Sequence, residues 1–386
     1  MLRIFRNKTY RLAHCYIFLL IIIIFFVSSV EAQGMKNQFS IGKTIYIESE
    51  FLDESRPIIV HTPPSYKSTN HSYPVIYLID GDVHFSHASG LVDFLSVSEM
   101  LPEMIVVAIP NVDRDRDLTP PSKSNVGSNK QADDFLDFLE FELLPFIDRK
   151  YRVQPFRILY GHSLGGLFTL YTLFHRQHLF RAYFASSPYL MEHSVELFSL
   201  TEELDVILDD KKKFLYIALG NEPRYLPTIT EFIDLLETHA PDRLSWNYQL
   251  MQNENHGTVP PLAIYYGLRS LFSGWGIFNE LYDQGFDAIN HYYEELSNWF
   301  GFPIPIPERI VNAMGYEILN NNDPKTAISI LEYNVERYPE SPNVYDSLAD
   351  AYRVNGDLEE AERFYRTAVK KANKISDPAL PVFKDN

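Results

Sequence analysis

The residues with the most chemical content lie in Gly161-His162-Ser163-Leu164-Gly165-Gly166, which follows the apolar run Ile158-Leu159-Tyr160 and opens an apolar helical pattern. A serine with glycines two residues before and after it, between a strand and a helix, has the spacing of a nucleophile elbow. The reason is steric: the sharp turn forces the serine into a strained conformation, and only small neighbours fit around it. The hydroxyl then stands above the sheet, and the following helix offers its positive end to a developing oxyanion. The bare pentapeptide arises by chance in roughly one chain in eight of this length, so its strand–helix context carries the argument.

A serine hydroxyl attacks poorly until a base takes its proton. Where such an elbow is used, the partners follow in the order serine, acid, histidine. His256, in the polar loop Gln252-Asn253-Glu254-Asn255-His256-Gly257, falls after the last expected strand and before a helix, and is the candidate base. Glu222, in the turn Gly220-Asn221-Glu222-Pro223, is the candidate acid that would hold the imidazole in one tautomer. Two alternatives stay open: Glu222 as an exposed turn residue beside a serine–histidine dyad, or Glu254 as the acid. For the oxyanion, the backbone N–H of Leu164 should act with that of Asp82, in the turn Asp80-Gly81-Asp82-Val83, with Gly81 permitting close approach. No H-x-x-x-H pair at helical spacing suggests a metal site.

The elements that must hold these residues can be read from periodicity. Strands are expected at 44–50, 57–61, 75–79, 105–109, 157–160, 181–185, 214–219 and 245–251. Helices are expected at 132–148, 164–175, 194–208, 228–238 and 262–272. Two strands joined directly, then strand–helix repeats, imply an α/β fold with a mostly parallel sheet covered on both faces. Sites in such sheets lie at the carboxyl ends of the strands, where Ser163, Glu222 and His256 all fall.

The chain of 386 residues is 46% hydrophobic and 22% charged, which is globular composition. A formal charge of −17 with no basic stripe excludes a nucleic-acid binder. Cys15, the single cysteine, excludes a disulfide framework. Arg3, Arg6, Lys8 and Arg11 precede an apolar run at 16–27 that is short for a spanning helix, and Val30 and Ala32 have the small-residue pattern of a cleavage site. Residues 1–32 therefore read as a signal peptide for export to the periplasm or medium, with an uncleaved signal anchor as the alternative. Cleavage would leave a cysteine-free chain, as suits an oxidising compartment.

Residues 33–275 read as the main domain and 276–307 as a helical connector ending in the proline-dense 301–307, a linker or extended brace. Residues 308–386 are helical and repeat at 34 residues: Val311, Met314, Gly315, Ile318, Ala327 and Leu331 recur as Tyr345, Leu348, Ala349, Tyr352, Ala361 and Tyr365, and Asn322 recurs as Gly356. This resembles the tetratricopeptide repeat. Two copies are fewer than stand alone, so they should dock on the 279–300 helices or the main domain. Their role is either a structural cap or a surface for a protein partner or self-association.

Tyr77-Leu78-Ile79-Asp80-Gly81-Asp82, Ile109-Pro110-Asn111, Arg114-Asp115-Arg116-Asp117-Leu118-Thr119-Pro120, the serine elbow and Glu254-Asn255-His256-Gly257 together resemble the family that includes esterase D, the feruloyl esterases and the enterobactin-type siderophore esterases. The resemblance covers residues 41–272 and implies an α/β-hydrolase fold, hydrolysis of a small carboxylic ester through an acyl-enzyme, and no metal or organic cofactor. The Arg-x-Arg-Asp block is most similar to the siderophore branch, which makes Arg114 and Arg116 candidate substrate contacts. The alternative is that they pair with Asp113, Asp115 and Asp117 to pin their loop. The rival functions are acyl transfer on the same fold, and binding through the helical repeats by a vestigial hydrolase.

Overall fold

The computed structural model describes residues 40–121, 131–191, 194–276, 279–375 and 379–385. The expected signal peptide and Cys15 lie outside them. The described residues from Thr44 on belong to one compact unit.

Eight strands form one sheet: β1 (Lys43–Ser49), β2 (Glu54–His61), β3 (Tyr73–Ile79), β4 (Ile105–Ile109), β5 (Val153–His162), β6 (Ala182–Ser186), β7 (Lys213–Gly220) and β8 (Leu244–Met251), in the order β1-β2-β4-β3-β5-β6-β7-β8. β2 runs antiparallel to β4, and every pairing from β4 through β3, β5, β6 and β7 to β8 is parallel. All eight expected strands are present, most of them a residue or more longer. β3, β4, β6 and β7 are buried along their whole length, as central strands covered on both faces must be, whereas β8 alternates at the edge.

Alternate residues of β3 face two cores: Val75, Tyr77 and Ile79 look one way, Ile76 and Leu78 the other. On the first face lie α3 (Gln131–Asp137), α4 (Leu144–Lys150), α5 (Leu164–His175), α6 (Ser194–Glu202), α7 (Leu204–Ile207) and α8 (Leu226–His239). On the second lie α1 (Gly81–Val97) and α9 (Val259–Leu271), while α2 (Arg114–Leu118) is a short turn after β4.

Three helical expectations need correction. α1 was not foreseen, because Gly90, three serines and two histidines dilute its apolar stripe. The helix expected at 132–148 is broken by a π turn at Phe138–Leu143, where Leu144 N–H reaches back to Leu139 O. Pro145 has no N–H to donate to Phe141, which favours the wider turn just before it. The helix expected at 194–208 breaks at Glu203 into α6 and α7.

Beyond α9 come α10 (Asn279–Tyr282), α11 (Phe286–Phe300), α12 (Glu308–Asn320), α13 (Pro324–Arg337), α14 (Pro342–Asn355), α15 (Leu358–Ile375) and α16 (Leu380–Asp385). The helix pairs 12–13 and 14–15 repeat at 34 residues, and Asn322 and Gly356 take left-handed conformations at equivalent turns (φ 61° and 92°). Gly315 lets Leu331 approach so closely that a Cβ would sit 2.6 Å from Leu331 Cδ2, and its counterpart Ala349 is fully buried. The proline-dense stretch is a brace: Phe302, Ile304 and Ile306 are buried in the same core as Phe156 and Phe272 of the main domain and Val311 and Met314 of α12. Ile306→Ala should therefore lower the unfolding free energy by about 2–5 kcal/mol, the usual cost of a core cavity. A urea melt would show the shift; a change under about 0.5 kcal/mol would mean the stretch is a mere tether.

Candidate functional site

Parallel register sets the carboxyl ends of β5 to β8 side by side: Gly161 is level with Ala185, Ser186 with Ala218, and Gly220 with Met251. The residues just beyond these ends are Ser163, Ser187, Glu222 and the loop that carries His256. Ser163 joins β5 to α5 at φ 58°, ψ −116°, a conformation that costs a side-chain-bearing residue roughly 1–3 kcal/mol. Its backbone is fixed at both ends, N–H to Ser186 O at 2.9 Å and O from Tyr189 N–H at 3.0 Å. A Cβ on Gly161 would lie 2.0 Å from Gly165 O, which is why that position is glycine.

His256 Nδ1 donates to Glu222 Oε2 at 2.6 Å. The other oxygen, Oε1, accepts from Ser187 Oγ at 2.5 Å and from Gly220 N–H at 3.1 Å. Glu222 is thus a buried, fully engaged carboxylate, not an exposed turn residue, while His256 stays 40% exposed. Glu254 serves this turn through its backbone, accepting from Asn221 N–H at 2.6 Å.

Three further side chains crowd the pair. The Tyr225 ring lies 5.3 Å from that of His256, and its hydroxyl neighbours the Ser163 side chain. The His162 ring lies 4.5 Å from His256. Burial, with His256 and His84 beside it, pushes His162 down to about 4. Ser187 itself is fully buried at φ 42°. Sequence reasoning assigned none of the three; for Ser187 and Tyr225 the available signal was the Ser186-Ser187-Pro188 turn directly after β6, and an aromatic three residues past Glu222.

Behind His162, His84 is 2% exposed and bonds His87 across 3.0 Å. Burial, reinforced by His87, pushes His84 down to about 4. An unfolded histidine titrates near 6.5, so between about pH 6.5 and 4 the unfolded chain binds a proton that folded His84 refuses. Acidification through that window should cost on the order of 3 kcal/mol from this residue and level off below pH 4. The loss of Tm between pH 7 and pH 4.5 should be smaller in His84→Gln than in the wild type; equal losses would show that His84 is not held neutral.

Leu164 and Asp82 stand in the first turns of α5 and α1, where backbone N–H groups have no acceptor within the helix. The two arginines part company. Arg116 bonds Glu54 and Asp117, which also hold buried Arg56, so its charge is spent tying the α2 turn to the start of β2. Arg114 leaves its own loop altogether and grips Asp80, with Nη2 3.4 Å from His162 O beside the elbow. Among the described residues no group of three or more histidine, cysteine or carboxylate side chains is placed to hold a metal ion.

A mostly parallel eight-stranded sheet with a strained serine on the β5 elbow, and a histidine–glutamate pair at neighbouring strand ends, defines an α/β hydrolase. Within that class, residues 49–228 match the family model described as Putative esterase. It is 28% identical over 243 residues, 52% of this chain and 82% of the relative, to a siderophore triacetylfusarinine C esterase of Aspergillus fumigatus. It is 30% identical over 177 residues, 40% of this chain and 61% of the relative, to the ferri-bacillibactin esterase BesA of Bacillus subtilis. Among solved structures it is similar to an IroE-like serine hydrolase from Shewanella oneidensis, with a TM-score of 0.65 and 28% identity, covering 76% of this chain and 99% of the other. Family and relatives together support ester hydrolysis as the chemistry of this chain.

Proposed function

We propose that the protein is an exported serine esterase that opens siderophore-type esters through an acyl-enzyme. The observation that carries the reading is the bond of 2.6 Å between His256 and buried Glu222, set beside a serine in a strained elbow conformation. Because Nδ1 carries its proton toward the carboxylate, Nε2 keeps a lone pair to accept the Ser163 proton as Oγ attacks the ester carbon. The tetrahedral oxyanion would be met by the N–H groups of Leu164 and Asp82. His256 then returns the proton to the departing alcohol, and water, deprotonated by the same imidazole, clears the acyl group. The siderophore class is supported by the similarity to siderophore esterases and by the likeness of the Arg-x-Arg-Asp block to that branch, and export by the amino-terminal sequence pattern.

The test is fluorophosphonate labelling of the purified chain with peptide mapping, followed by hydrolysis of a catecholate trilactone resolved chromatographically. Label confined to Ser163, with release of linear products, is the expected outcome. A folded protein that takes no label, or that acts only on simple aryl esters, would remove respectively the mechanism or the substrate class.

A further inference from the structure

Asp80 caps the amino end of α1 in a left-handed conformation (φ 55°, ψ 47°) yet makes no side-chain bond to its own helix. An aspartate at that position ordinarily accepts from an N–H of the first turn, which relieves the orphan donors there. Here the carboxylate turns away. Oδ1 accepts from Arg114 Nε at 2.6 Å and Asn111 Nδ2 at 2.7 Å, and Oδ2 accepts from Arg114 Nη2 at 2.9 Å. Asp80 is only 4% exposed, and Oδ2 lies 3.1 Å from where a Cβ on Gly165 would stand, directly against the serine elbow. Arg114 touches that elbow too, through His162 O, and Asn111 N–H approaches Asp82 Oδ1 at 3.4 Å.

One buried carboxylate therefore sits between the two turns whose N–H groups face the reacting centre, and a single guanidinium fork fixes it. We propose that Asp80 and Arg114 are positioning residues: they set the spacing between the Asp82 and Leu164 N–H donors, and leave the Asp82 N–H without a side-chain cap for the oxyanion. The inference rests on the serine-esterase reading and gives Arg114 a part other than contact with substrate. A planar, bidentate fork holds a carboxylate in one orientation, which a lysine ammonium cannot do. Donors must stand about 2.7–3.1 Å from the oxyanion position, a window of a few tenths of an ångström, so loosening this clamp should affect the transition state and leave ground-state binding nearly unchanged.

The experiment uses p-nitrophenyl acetate, a neutral ester with nothing for an arginine to recognise, and a catecholate ester in parallel. Arg114→Lys is expected to lower kcat on both about 10- to 100-fold, with KM within threefold and Tm within a few degrees of wild type. Guanidinium ion, and not methylammonium, should restore part of the lost kcat in Arg114→Ala, a response that a merely unfolded variant would not give. An unchanged kcat on p-nitrophenyl acetate, with a raised KM confined to the catecholate ester, would overturn the proposal and make Arg114 a substrate contact. Wild-type turnover that survives Ser163→Ala would instead overturn the serine-esterase reading, and this inference with it.

Discussion

Ser163→Ala should lower kcat by about 10⁴- to 10⁶-fold on any ester, and abolish fluorophosphonate labelling, while the protein remains folded. The size follows from what is lost. Without Oγ no covalent intermediate can form, and His256 can only activate water in a geometry built for another nucleophile. What survives is the pull of the two N–H groups and the binding of the ester, worth about 10³ over water in comparable sites. Stability should move little, because alanine inherits the same unfavourable φ of 58° and forfeits only a hydroxyl. Ser163→Gly is the informative companion: equally inactive, but with a Tm at or above that of the alanine variant, since glycine is at ease in that conformation. Initial rates with p-nitrophenyl acetate, corrected against a mock preparation, check the first half, and thermal melts of the two variants check the second. Residual activity within 100-fold of wild type would assign the nucleophile to another residue.

The fold was largely readable from the sequence because its information is local. β3, β4, β6 and β7 are central strands, and a strand buried on both faces must be a short run of apolar, β-branched and aromatic residues, as 75–79 and 105–109 are. α1 escaped because its burial is arranged by its neighbours: His84 and Ser89 are buried there beside Ala88 and Val92, and neither residue type announces a core. The brace at 301–307 shows the same limit, since proline density gives the extended backbone but not the three apolar side chains it delivers to the core. At the site, chain order made Glu222 the candidate partner of His256 with Glu254 and a dyad still open, and the fold brings Glu222 Oε2 to His256 Nδ1. The partners that hold Glu222 and Asp80 are a different matter. Ser187 lies 35 residues and Arg114 lies 34 residues from the carboxylate each one serves, with whole strands between. Only the parallel register brings them together. Arg114 also had aspartates on both sides in its own segment, so local pairing looked at least as good as the contact with Asp80 that the fold selects.

Glu222→Gln should cost about 10³- to 10⁴-fold in kcat with KM within a few-fold, although the two side chains have the same shape. The argument turns on the unequal surroundings of the two carboxylate oxygens. Oε1 accepts two hydrogen bonds, from Ser187 Oγ and from Gly220 N–H, and Oε2 accepts one, from His256 Nδ1. A glutamine must keep its oxygen at the doubly donated position, because turning its NH2 toward the Gly220 N–H would set donor against donor in a buried site. The NH2 then faces Nδ1, which can only accept from it, so the imidazole proton moves to Nε2 and His256 can no longer take the proton of Ser163. The loss therefore comes from the wrong tautomer. Ser187→Ala alone should cost about tenfold, by loosening the carboxylate, and should cost nothing further in the Glu222→Gln background. Such non-additivity is the signature of residues acting on one imidazole. Nitrogen chemical shifts of His256 in the two proteins report the tautomer directly, and stopped-time assays give the rates. If Glu222→Gln keeps kcat within tenfold of wild type while the tautomer shifts, the proton of Ser163 does not pass through His256 Nε2, and the carboxylate–imidazole pair is a structural clasp.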